Sequence, residues 1–459
     1  MDLDDFEKDM KNKLAKLKKE ILKKIVIPEI DIDVLLSAGT IKNSSILLRG
    51  RYGTGKDQLV YIYGVAMFGS PEHICKISLH ENITEYELFY RYDLAALIGG
   101  EEKIILRPFV EKPFKYLNEM SRASPLIQNA ILEILSEKEI TSIPGMKLKL
   151  DNFLLVMDIN PLDIASRKLS GALLDRVNIS ITMKQLGYDQ SLGLVDAFIS
   201  RSFLEPYEAF LNDVPEDERL DFESLKVLWN KIIPRRLSER TRLDYRVEKI
   251  VVLLYYSFTC HRLKRNELMD ISIRPPCVME GVCERAERDP CYFLVAPMGF
   301  RVLRDLFKYT YAFSWLRNKK RISLDMFLTM FPYVAAHRIN VRSDTLARGF
   351  YTGSDDWLKR WFVEEYVIRN KLVKRISEFI DFCDEILENF GNGRISSSSI
   401  DTLVDLVDKN LSFYPAILYF KTIIWPPLRS MLEKARLREK IETIEKMLEA
   451  GGHAEVGWL

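Results

Sequence analysis

The chain has 459 residues, enough for roughly two to four domains and a large buried core. Hydrophobic residues make up 47% and charged residues 29%, the balance of a globular protein, and the formal net charge of +1 leaves no global field to draw it to nucleic acid or an anionic membrane. No apolar stretch is long enough to span a bilayer and no signal peptide opens the chain, so a cytoplasmic protein without membrane contact is expected. Glutamine is confined to Gln58, Gln128, Gln185 and Gln190 while Lys, Glu, Arg and Ile abound, a bias in the direction of a thermophile.

Residues 2–25 read as an amphipathic helix, with Leu3, Phe6, Met10, Leu14, Leu17, Ile21 and Ile25 at three- and four-residue steps. The other face is lysine-rich. A helix packed on the body with a solvated basic face is the simpler reading; contact with a membrane or nucleic acid is the alternative. From about residue 41 to 183 short apolar strands alternate with helices. Strands are expected at 45–48, 74–79, 114–117, 153–157 and 178–182, and crossover helices between them predict a parallel sheet covered on both faces. Beyond about residue 186 helices dominate, at 220–231, 245–261, 300–317, 324–337, 357–390, 400–408 and 428–450. Gly391-Asn392-Gly393 marks a hinge or helix stop.

Between the first strand and a helix at 58–68 lies Gly50-Arg51-Tyr52-Gly53-Thr54-Gly55-Lys56-Asp57-Gln58. This is the phosphate-loop pattern G-x-x-x-x-G-K-[ST], with a carboxylate where the hydroxyl belongs. Its glycines let backbone N–H groups curl around phosphate oxygens, and Lys56 reaches the outer phosphates. The missing hydroxyl is the usual ligand of the nucleotide's magnesium. Downstream, Phe114-Lys115-Tyr116-Leu117-Asn118-Glu119 is a strand ending in an amide and an acid. Residues 138–150 look like a β-hairpin with Pro144-Gly145 at its turn. Phe153-Leu154-Leu155-Val156-Met157-Asp158-Ile159-Asn160 is a strand ending in a polar residue suited to a γ-phosphate or its water. Gly171-Ala172-Leu173-Leu174-Asp175-Arg176 places an arginine before the fifth strand.

Taken in this order, the motifs resemble the MoxR branch of the AAA+ ATPases. The segments "NEMSRASPLIQNAILEIL", "FLLVMDINP", "LSGALLDRVNISI", "HENITEYELFYRYDL" and "GFRVLRDLFKYTYAFSWLRNKKRISLDMF" carry the likeness, which covers roughly residues 20–340. It implies an α/β fold: a five-stranded parallel αβα nucleotide-binding domain, an all-α lid and an extra C-terminal helical region. The corresponding segments are 1–27 for the amphipathic helix, 28–200 for the core, 201–350 for the lid and 351–459 for the extension. It further implies that Lys56 and the residue 50–55 backbone hold ATP, that Glu119 activates water, and that Asn160 is the first sensor. Arg176 would be a finger completing the site of the next subunit, and Arg301 the second sensor. A finger working between chains implies a homo-oligomeric ring, by analogy a hexamer, that remodels or matures a protein client. Relatives of this kind often work with a partner bearing a von Willebrand factor A domain.

Three positions depart from that pattern, and all lie where magnesium is expected. Asp57 replaces Ser or Thr, Asn118 replaces Asp, and Asp158 replaces a residue usually uncharged. In one account the site has drifted, and an unscreened Asp57 repels the phosphates by about 4 kcal/mol per charge pair at ~4 Å and an effective dielectric near 20. In the other the acid has moved from position 118 to position 57, leaving Asp57 and Asn118 as oxygen donors to the same magnesium. The competing functional classes are a non-hydrolysing AAA+ scaffold and a nucleic-acid motor, the latter disfavoured by the near-neutral charge. With five histidines and neither HExxH nor GxSxG, protease and serine-hydrolase readings have no motif.

Cys277, Cys283 and Cys291, with His261 nearby, sit in a polar stretch that lacks apolar side chains to hold it. Zinc, a disulfide and unlinked thiols are all open to them, although the spacings are not those of a standard zinc knuckle. The apolar stripes at 357–368 and 428–448 read as intramolecular core, with helical pairing to a partner as the alternative.

Overall fold

The computed structural model describes residues 2–161, 167–184, 205–238, 243–258, 290–295, 298–391, 397–410, 416, 419–434 and 436–450. Nine short strands are present among them: β1 Ser44–Arg49, β2 Ile74–Ser78, β3 Tyr90–Tyr92, β4 Ile104–Leu106, β5 Phe114–Asn118, β6 Glu139–Ile140, β7 Leu148–Lys149, β8 Leu154–Ile159 and β9 Ile179–Thr182. Five form one sheet in the order β2-β5-β8-β1-β9, with every pairing parallel. The five expected strands are therefore all there, and their order is fixed by crossovers. Leu154, Leu155, Val156 and Met157 are consecutive and all buried, which is possible only when both faces of the sheet are covered.

One face packs on the helix Pro125–Glu137, whose Ile127, Ile131 and Ile134 join Leu47, Leu117, Leu155 and Met157 in a single cluster. Ser124 caps that helix with Pro125 at its first turn, which fixes its start. On the opposite face Phe114 meets Tyr63 and Phe68 of the helix Lys56–Phe68, edge to face, with ring centroids 6.0 and 5.6 Å apart. The hairpin expected at 138–150 is the antiparallel pair β6–β7, and Gly145 takes the positive φ its turn requires.

The N-terminal helix Leu3–Lys24 buries Met10, Leu14, Leu17 and Ile21, as its spacing predicts. Of its lysines, Lys11 pairs with Glu7, Lys16 with Glu218, and Lys18 with Asp33, while Lys8, Lys16, Lys19 and Lys23 are exposed. The helix is thus packed on the body with a solvated basic face.

The chain divides into two compact units, Met1–Arg242 with Phe300–Arg338, and Leu243–Gly299 with Ile339–Leu459. In the first unit Phe300–Leu316 and the chain after it pack onto the sheet. The Tyr309 hydroxyl lies 2.7 Å from that of Ser44. The buried carboxylate of Asp305 accepts from Asn178 at 3.2 Å, and the buried His337 is within hydrogen-bonding distance of Ser180 and Val177.

The second unit is helical among its described residues. Trp357 stacks on Trp361 at 4.9 Å, and Trp357, Val367, Leu428, Leu432, Ile444 and Leu448 are buried, while Ile368 is exposed. Two helices expected to be continuous are broken. The stretch 357–390 is interrupted before Leu372–Gly391, and 428–450 falls into Trp425–Lys434 and Arg438–Ala450. Lys371 and Arg436 take left-handed φ of 50° and 59° at the breaks. Neither is a glycine or follows one, so no sequence signal marks the stop. Among the described residues no helix is long and apolar enough to cross a membrane.

Candidate functional site

In an open parallel sheet, loops at the carboxyl ends of neighbouring strands converge on one edge. Leu48 of β1 is level with Asp158 of β8, and Leu117 of β5 with Met157. That register gathers residues 50–57, 118–119 and 158–160 in one place.

The glycine-rich segment leaves β1 and turns directly into the helix Lys56–Phe68. Gly53 and Gly55 have φ of +74° and +77°, in the left-handed region that side-chain-bearing residues avoid. Gly55 is the helix N-cap and no side chain caps the helix, so its first N–H groups have no side-chain acceptor and suit an anion. Lys56 is buried. Its ammonium donates to the carbonyls of Gly50 at 2.8 Å and Arg51 at 2.9 Å.

A cavity of about 300 Å³ opens beside this loop. It is lined by Tyr52, Gly53, Thr54, Gly55, Lys56, Asp57 and Gln58, and by Asn118, Glu119, Ser121, Asp158 and Asn160 from the other two strand ends. Gly50 and Arg51 contribute from behind, through their carbonyls. Glu119 stands at a backbone φ of 60°, an unfavourable left-handed conformation for a residue of its kind. The carboxylate of Asp158 holds it there by accepting the Glu119 N–H at 2.7 Å. Gln58 is turned outward: its amide donates to Glu205 at 3.2 Å and accepts from the backbone of Tyr207 at 3.0 Å.

Among the described residues three carboxylates line the cavity, and each has a cation of its own. Asp158 lies 3.8 Å from the Lys56 ammonium, Glu119 is 3.0 Å from Arg122, and Asp57 is 2.9 Å from Lys76 of β2. Asp57 also accepts from the hydroxyl of Tyr116, which in turn lies 3.2 Å from Asn118 Oδ1. Burial pushes the Asp57 carboxyl up, but the hydrogen bonds from Tyr116 and Lys76 outweigh it and keep the group ionised below the usual range. Asp158 goes the other way, because burial pushes its pKa up to about 6 against the pull of the Glu119 amide and Lys56. Lys76 and Tyr116 were not among the residues singled out in the sequence. Alternation along two paired strands carries the signal, since Lys76 is level with Tyr116 and Ser78 with Asn118.

Arg176 and Arg301 do not line this cavity. Both line a second one, of about 620 Å³, together with Lys42, Lys138, Arg304 and Lys308. Arg301 is ion-paired with Asp175, and Arg176 donates to the carbonyl of Ala172 at 3.1 Å. Of the cysteine cluster, Cys277, Cys283 and His261 lie outside the described residues. Cys291 is half-buried, and its backbone N–H donates to the carbonyl of Ser257 at 3.2 Å.

Residues 45–177, from the first strand to the arginine-bearing helix, match the family model of the AAA domain, dynein-related subfamily. Over this segment the chain is similar to an AAA domain. A solved structure from Cytophaga hutchinsonii ATCC 33406, provisionally described as an ATPase, superposes with a TM-score of 0.57 at 17% identity. The match covers 79% of this chain and 97% of that one, a likeness of fold. AAA domains bind a nucleotide, usually with magnesium. The open helix N-terminus, the paired glycines and Lys56 fit a polyphosphate. Magnesium in the position expected from the sequence fits less well: Asp57 is engaged by Lys76 and Tyr116, and Asn118, a neutral amide, donates to Ser78 at 3.3 Å.

Proposed function

We propose that the chain is a MoxR-like AAA+ ATPase that binds ATP at the loop of residues 50–57, hydrolyses it slowly, and remodels or matures a protein client. The observation that carries this reading is the convergence of Lys56, Glu119 and Asn160 on one cavity from three separate strand ends. In it, incoming phosphates take Lys56 from the carbonyls of Gly50 and Arg51. Glu119, set by Asp158, accepts the proton of the attacking water, and Asn160 orients that water. Slow turnover is expected because Glu119 is shared with Arg122.

Ring assembly is part of the proposal. Arg176 and Arg301 sit together, away from their own chain's phosphate cavity, where a neighbouring copy's nucleotide can meet them. A protein carrying a von Willebrand factor A domain is the client class we propose, on the resemblance. A nucleotide-binding scaffold without turnover is the second reading, favoured by the pairing of Asp57, Glu119 and Asp158 with a lysine or arginine each.

Phosphate release from ATP, followed on the wild-type chain and on Glu119→Gln, separates the two. Release that vanishes in the variant while ATP binding persists supports the ATPase. Release equally absent from both leaves the scaffold.

A further inference from the structure

We propose that Lys76 takes the place of the divalent cation, so that the nucleotide is bound independently of magnesium. The inference rests on the nucleotide reading of the cavity and concerns how its charge is balanced. In a magnesium-using phosphate loop a neutral hydroxyl and an acid share the ion. Here the hydroxyl position is the acid Asp57, and the acid position is the amide Asn118. Between them stands no vacant pair of oxygens. Asp57 Oδ2 takes the Lys76 ammonium at 2.9 Å, and Asp57 Oδ1 takes the hydroxyl of Tyr116.

Lys76 is held for this role. Its ammonium lies over the rings of Tyr61 at 5.4 Å and Tyr116 at 5.5 Å, which favours a cation at that spot. The remaining cavity acids, Asp158 and Glu119, are balanced by Lys56 and Arg122. Among the described residues the three cavity carboxylates thus meet three side-chain cations, and none of them is left over to recruit a metal. Lys76 also removes the repulsion that an unscreened Asp57 would impose on β- and γ-phosphates. The acid swap and the lysine are therefore one device: Asp57 without Lys76 would repel the ligand, and Lys76 without Asp57 would be a half-buried cation lacking its partner.

The test is isothermal titration of the full chain with ATP, in EDTA and again in excess magnesium chloride. The dissociation constant is expected to change by less than about fivefold between the two. Lys76→Met should weaken ATP binding by about tenfold or more. The double variant Asp57→Thr with Lys76→Met should recover binding and acquire magnesium dependence. Tightening of the wild-type protein by magnesium of more than about fivefold overturns the proposal, as does an unchanged affinity in a folded Lys76→Met. If Lys76→Met does not fold, the wild-type metal comparison decides alone. Absence of ATP binding under both conditions defeats the nucleotide reading itself, and this inference with it.

Discussion

Asp158 gives the sharpest handle on the site, because its burial and its partners pull in opposite directions. The residue is only 3% exposed, and its folded pKa is raised from 3.8 to about 6. Between those values the folded protein holds a proton that the unfolded chain has lost. Stability from this group is therefore fully present below pH 3.8 and is lost as pH rises through about 6. Keeping the charge at neutral pH costs about 3 kcal/mol, from two pKa units at ~1.4 kcal/mol each. In Asp158→Asn the amide oxygen still accepts the Glu119 N–H, and Lys56 keeps the carbonyls of Gly50 and Arg51. The variant should therefore be more stable than wild type at pH 7.5, melting about 5 °C higher, with the gap closing toward pH 4. Thermal melts of both proteins across pH 4–8, followed by circular dichroism, supply the measurement. A gap that does not vary with pH, or a variant less stable at pH 7.5, would refute the assignment of burial as the dominant influence.

Other positions give independent checks. Lys115 is fully buried on β5, where its ammonium donates to the carbonyls of Phe109, Val110 and Lys112, and burial brings its pKa down to about 7. Lys115→Met should cost roughly 1–3 kcal/mol by leaving carbonyls unpaired. Because the folded pKa is lowered, wild-type stability from this group rises between pH 7 and 10 and the variant should lack that rise in urea titrations. Gly69 has φ of +81°, and a Cβ there would stand 2.8 Å from the carbonyl oxygen of Leu220; Gly69→Ala should lose roughly 1–3 kcal/mol in urea unfolding. Arg176→Ala should lower phosphate release by on the order of 10³-fold. Mixing that variant with Glu119→Gln should restore activity if the arginine acts on a neighbour, and an inactive mixture would count against the ring.

The sequence by itself determined the sheet and its loop. Alternating apolar strands and helices, a glycine-rich turn before Lys56 and polar residues at two later strand ends are local signals, written in consecutive residues. They suffice to predict five parallel strands and to bring Lys56, Glu119 and Asn160 to one edge. Helix breaks at Lys371 and Arg436 were invisible, because their left-handed turns are made without a glycine. Only the tertiary structure shows what Asp57 touches. In sequence it is either a drifted residue or a relocated metal ligand. In the fold, the pairing of β2 with β5 sets Lys76 and Tyr116 side by side on one level, some 20 and 60 positions from Asp57 along the chain, and both reach it. Strand order is a long-range property, so the cation that neutralises this acid could be found only once the sheet was assembled.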